Sequence, residues 1–159
     1  MPTFNAMHQS FTPSAFSLSS VPNWCLDAVG TGVFGKVVMI TWGGSLTTST
    51  GYSTRWVRPT TAGTGSKTAI TIGYNQPNYA AAAFTATSSY GTSQPIVPAQ
   101  DVGDLWSQRW NAQGGVGVIA MPLANPWWVA TGVLQGALEC QNYNGVDATG
   151  SSYGVTWEE

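Results

Sequence analysis

The residues that most invite chemistry form a glycine-rich run. Residues 30–35 read G-T-G-V-F-G and are followed by Lys36 and Val37. Glycines at this spacing can cradle phosphates, but a dinucleotide site requires the third glycine to open a helix, with an acidic side chain about twenty residues further on. Here Gly35 leads into K-V-V-M-I, a β-branched run, and the acidic position is held by Arg55. A kinase-like loop would need a downstream catalytic H-R-D and a metal-binding D-F-G, and the chain has neither. The run therefore reads as a glycine-rich hairpin.

Other constellations are equally sparse. His8 is the single histidine, which argues against a Ser-His-Asp or Cys-His relay and against a zinc or facial-triad site. Seven carboxylates leave Asp101 with Asp104, or Asp27 with Asp147, as the pairs a glycosidase could use. Asp101 and Asp104 read better as turn caps, and Glu158 and Glu159 as solvated terminal residues. Cys25 and Cys140 are the only cysteines and sit in apolar strand-like runs, as buried thiols do. These absences lead us to expect no enzymatic activity, no metal and no cofactor.

Binding is a different matter. Eight tryptophans in 159 residues supply a large payload of flat apolar surface. Trp106, Trp110, Trp127 and Trp128, with Tyr52, Trp56, Tyr74 and Tyr79, could form a stacking platform for a glycan or an aromatic surface for a protein. Trp127 and Trp128 are adjacent, so a regular strand turns one of them away from the core unless both faces are covered. Arg55, Arg58 and Arg109 each lie within two residues of a tryptophan and are placed to stack on rings or to bridge subunits.

The elements that must position these residues are strands. Short β-branched or aromatic runs recur between Gly, Pro, Asn and Ser clusters, with candidates at residues 24–29, 36–42, 52–58, 68–74, 80–87, 116–121, 127–133, 137–143 and 153–157. In the run 36–42, Val37, Met39 and Thr41 should face one way and Val38, Ile40 and Trp42 the other, the pattern of a central strand. Pro59 ends the run 52–58 by removing a ladder donor. Residues 60–66 read T-T-A-G-T-G-S, a loop without a large anchoring side chain. One weak helical candidate spans 101–111, where Leu105, Trp106, Arg109 and Trp110 recur at helical spacing. We expect an all-β chain, a β-sandwich or jelly-roll-like barrel over residues 23–159, preceded by an extended N-terminal arm over residues 1–22. Phe4, Phe11 and Phe16 would anchor that arm, either on another molecule or along its own sheet.

Only 8% of residues are charged, against about 25% in an average soluble domain. A surface of uncharged polar side chains resists association less well, so a homo-oligomer is the natural expectation. Five cations against seven carboxylates, without a basic stripe, argue against nucleic-acid binding. The longest apolar-looking stretch, 116–134, is broken by Pro122, Asn125 and Pro126, so no membrane-spanning helix is expected. Residues 1–5 show no basic segment leading into an apolar run, so no Sec-type signal is expected.

In style the whole chain resembles the small structural proteins of tailed-bacteriophage virions, above all the decoration or cement proteins of capsids. An N-terminal arm, a Gly/Ser/Thr-rich β-domain, little charge and abundant tryptophan carry the resemblance. It implies a homo-oligomer, often a trimer, assembled in the host cytoplasm and ending in the virion on the major capsid protein or another virion protein. The interface residues expected from the sequence are Phe4, Phe11, Phe16, Trp56, Arg58, Trp106, Arg109, Trp110, Trp127 and Trp128. A carbohydrate-binding module of a tail fibre, or a tail or connector protein, is the alternative expectation.

Overall fold

The computed structural model describes residues 1–11, 24–28, 34–44, 47, 49, 51–75, 81–99, 103–111, 113, 116–120, 127–130, 138–144 and 151–159. Its elements are all strands: β1 (Thr3–Phe11), β2 (Trp24–Ala28), β3 (Phe34–Gly44), β4 (Gly51–Val57), β5 (Lys67–Ile70), β6 (Ile72–Tyr74), β7 (Phe84–Tyr90), β8 (Asp104–Asn111), β9 (Val116–Ala120), β10 (Trp127–Ala130), β11 (Leu138–Asn144) and β12 (Ser151–Glu158). They build two six-stranded sheets, the first ordered β10-β3-β12-β1-β6 with β9 also on β3, the second β5-β7-β2-β11-β4-β8. Every described pairing is antiparallel.

The pairings nest. β1 lies against β12, β2 against β11, β3 against β9 and β10, and β4 against β8. This first-with-last scheme divided between two sheets is the connectivity of a jelly roll. The sheets remain open, so the molecule is a sandwich and not a closed barrel. Strands β5, β6 and β7 come from an insertion between β4 and β8, with β6 extending the first sheet beyond β1 and β5 and β7 extending the second beyond β2.

The core fills the space between the sheets. Phe4 and Ala6 of β1 stand opposite Trp157 and Val155 of β12, and all four are buried. Their Phe4 and Trp157 rings stack at 5.8 Å, a contact type that contributes about 0.5–1.5 kcal/mol beyond the area it buries. Leu26, Trp56, Phe84 and Ala86 close the same core from the second sheet, and Trp110 of β8 meets Tyr153 of β12 edge-on at 6.1 Å.

Several expectations need correction. Residues 3–11 are not an extended arm but an interior strand of the first sheet, because the alternation of Phe4 and Ala6 fits the groove between β12 and β6. In β3 the buried residues are Gly35, Val37 and Ile40, the last two being three apart and not two. Trp157 opposes Val37 while Thr156 opposes Met39, so Val38 is the extra residue of a bulge that resets the faces. Residues 104–111 form β8 and not a helix: pairing with β4 overrides the helical spacing of Leu105, Trp106, Arg109 and Trp110. The run 68–74 breaks at Thr71, which hands the chain from the second sheet to the first.

Candidate functional site

The outer face of the second sheet carries the densest polar chemistry among the described residues. Residues 60–66, expected as an unanchored loop, pair with residues 91–96 as a ribbon: Thr60 N and Thr61 N donate to Ile96 O at 2.6 and 3.2 Å, and Thr64 N donates to Ser93 O at 2.9 Å. Small residues make this possible. A Cβ on Gly63 would lie 2.5 Å from the Tyr90 ring, and Gly65 has φ +89°, where a side chain is strained.

Asp27 gathers the donors in this region. Its Oδ1 accepts from Lys67 Nζ at 2.6 Å and from Thr85 Oγ1 at 2.8 Å, while Oδ2 accepts from the Tyr90 hydroxyl. The Cys25 Sγ stands 3.4 Å from the same hydroxyl oxygen, and Lys67 Nζ sits 5.7 Å from the Tyr90 ring centroid. Burial, reinforced by Cys25 and the Asp27 carboxylate, pushes the Tyr90 phenol far above its ordinary pKa. Tyr90 is therefore held as a neutral donor. The arrangement ties Lys67, at the end of the ribbon, to β2 and β7. Cys25 stands opposite Glu139 in the ladder and Cys140 opposite Trp24, so the register does not set the two cysteines against each other.

Arg55 is the second anchor. Its side chain is fully buried, with Nη1 donating to Asp104 Oδ1 at 3.0 Å and to Ala99 O at 3.1 Å, and Nη2 to Pro98 O at 2.7 Å. Removing either partner of such a pair leaves an uncompensated buried charge. Burial likewise holds the Arg58 guanidinium below its ordinary pKa. Glu159, expected to be solvated, instead accepts from Ala83 N, Phe84 N and Trp157 Nε1 at 2.8, 3.2 and 2.8 Å. Glu158 pairs with Lys36 at 2.8 Å. The signal for these contacts lay in scarcity, since so few charged residues in a chain this long are each prone to a structural partner.

The expected interface residues divide. Phe4 and Trp56 are each only 1% exposed and belong to the core, which corrects their assignment as docking residues. Trp127 is half-buried against Trp56, ring centroids 6.4 Å apart, and Trp110 is half-buried against Tyr153. Arg58 is half-buried, whereas Arg109 is exposed. Trp106 is 40% exposed on β8, beside exposed Leu105. The backbones of Phe11 and Trp128 pair with Ser151 and Lys36, but their side chains, like the whole of Phe16, lie outside the described residues. Tyr52, Tyr79, Asp101 and Asp147 also fall there in whole or in side chain. Among the described residues the exposed rings are Phe34, Tyr74 and Trp106. Tyr74 and Trp106 occupy edge strands of different sheets, so they do not share a platform.

A groove of about 310 Å3 crosses the outer face of the first sheet, lined by Asn5, Met7, Met39, Thr41, Asn75 and Thr156 over Gly154. Asn5 Nδ2 donates to Asn75 Oδ1 at its rim. Its wall mixes thioether, amide and hydroxyl groups, without an aromatic ring. Among the described residues no three His, Cys, Asp or Glu side chains meet as a metal site would require, and no helix is long and apolar enough to cross a membrane.

No family model, no curated protein and no solved structure matches this chain.

Proposed function

We propose that the chain is a non-enzymatic structural subunit of a tailed-phage virion, a capsid decoration protein that holds neighbouring shell proteins together as part of a homo-oligomer. A tail or connector position is the alternative setting for the same kind of contact. The reading is carried by large apolar side chains left in solvent, with Phe34 66%, Val118 58% and Trp106 40% exposed, in a chain of only 8% charged residues. Such surface gains most when a protein partner covers it. The polar clusters serve the fold: Asp27 and Arg55 are engaged by the ribbon and its flanks. Jelly rolls also host capsid and lectin domains, which supports the reading by analogy alone.

The mechanism is mass action: a protein that binds the assembled shell and not its dissociated parts shifts the balance toward the shell. The test is co-sedimentation of the purified chain with isolated heads of the phage whose genome carries this gene, followed by heating. The chain should pellet with the heads and raise the temperature at which they open. A chain that stays in the supernatant and leaves head stability unchanged overturns the proposal. A glycan array run alongside addresses the sugar-binding alternative, for which specific binding lost on Trp106→Ala would be the positive result.

A further inference from the structure

The four edges of the sandwich differ in how well they are protected. In the first sheet, β6 has three residues, and the opposite side of β3 is shared between the short strands β9 and β10. In the second sheet, β5 has four residues, carries Lys67 and is bulged against β7 between Thr68 and Ala69. Short strands, charges, prolines and bulges are the usual devices that stop an edge from pairing with another chain. β8 carries two charges, Asp104 and Arg109, and one irregularity at Leu105, but it is neither short nor interrupted by proline. It runs eight residues without Gly or Pro, exposes Leu105, Trp106, Ser107, Arg109 and Asn111, and keeps unbroken register with β4 from Trp106 to Asn111.

We infer that β8 pairs antiparallel with β8 of a second copy, about a two-fold axis normal to the sheet at Ser107, joining the two second sheets into one continuous sheet. The inference rests on the assembly reading above and names one interface within it. Such an axis keeps each face on its own side, so opposed residues must share a face. With Ser107 on the axis, Leu105 lies opposite the partner's Arg109 and Trp106 opposite the partner's Gln108.

Charge complementarity selects this register. Trp106 opposes Trp56, but Asp104 opposes Val57, so the irregularity at Leu105 brings Asp104 onto the face that carries Arg109, itself opposite Ser53. The partner's Arg109, placed opposite Leu105, then approaches the Asp104 carboxylate, the same group that holds Arg55. Symmetry makes that contact twice. Moving the axis to Gln108 would bring the two Arg109 side chains diagonally together, and moving it to Trp106 would carry Arg109 past Asp104. A stable interface takes about 20–30 residues a side, which one strand and its flanks do not supply. The dimer is accordingly weak and concentration-dependent.

The test is sedimentation velocity of the full chain from roughly 10 μM to 1 mM, a range that spans weak dimer affinities. The native chain should pass from monomer to dimer, and Arg109→Glu should weaken the dimer about tenfold or more by turning two attractions into repulsions. Under mild oxidation Ser107→Cys should form an intermolecular disulfide, because opposed Cα atoms lie about 4.5–5.5 Å apart, within the bonding range. Leu105→Cys should not, since its two copies stand about 14 Å apart along the strands. A chain that stays monomeric throughout, or a dimer indifferent to Arg109→Glu, or Leu105→Cys cross-linking as fast as Ser107→Cys, overturns the inference. Co-sedimentation with heads is read separately, so the assembly proposal can stand when this interface falls.

Discussion

Tyr90 shows how a single residue couples pH to the fold. Its hydroxyl donates to Asp27, and its ring lies under Gly63 at a distance that leaves no room for a methyl group. The folded-state pKa is raised, so the sign is fixed. Below the ordinary phenol value of about 10 both folded and unfolded chains hold the proton, and the contribution to stability is complete. Above it the unfolded chain releases the proton while the folded chain retains it, so stability should fall as pH rises from about 10. Urea denaturation between pH 8 and pH 11, bracketing that value, should show this alkaline decline, and Tyr90→Phe should flatten it. An equal decline in both proteins would mean that Tyr90 is not its source. Individual aromatic residues could not be sorted between core and surface from the chain alone. Phe4 and Trp106 each occur in short, locally ambiguous runs, and only their partners across the sheets decide that one is buried and the other exposed.

Among the elements, β1 is the one whose role changes most. Residues 1–22 have the composition of a dispensable arm, yet β1 contributes Phe4 and Ala6 to the core and hydrogen-bonds to strands on both sides. Deleting residues 1–11 should therefore abolish the cooperative thermal transition seen by circular dichroism. A folded, monomeric deletion variant would restore the arm reading. At the same scale, Trp157→Ala should cost about 3–5 kcal/mol, as expected for emptying a fully buried aromatic site. Trp106→Ala on the exposed edge should cost far less, and paired urea titrations distinguish them. Most strand positions were legible beforehand, because alternation and punctuating Gly and Pro are local signals. The bulge at Val38, the ribbon of residues 60–66 and the strand character of β8 were not. Each depends on a partner distant in sequence: β12, residues 91–96 and β4.

Over the whole molecule the nested pairing outweighs any one contact. β1 cannot complete its ladder without β12, and the last residue, Glu159, caps the start of β7 in the other sheet. A chain ending at residue 150 should consequently give no sharp unfolding transition by differential scanning calorimetry, although it retains most of the core side chains. A retained transition would show that β12 is an accessory strand. Long-range pairing of this sort also places the protein among the slower folders, on a scale of milliseconds to seconds. The same nesting bears on synthesis. β1 is made well before β12, so the first sheet cannot close until β12 has left the ribosome. A product that stops short of β12 leaves β1 and β3 without the strand that lies between them.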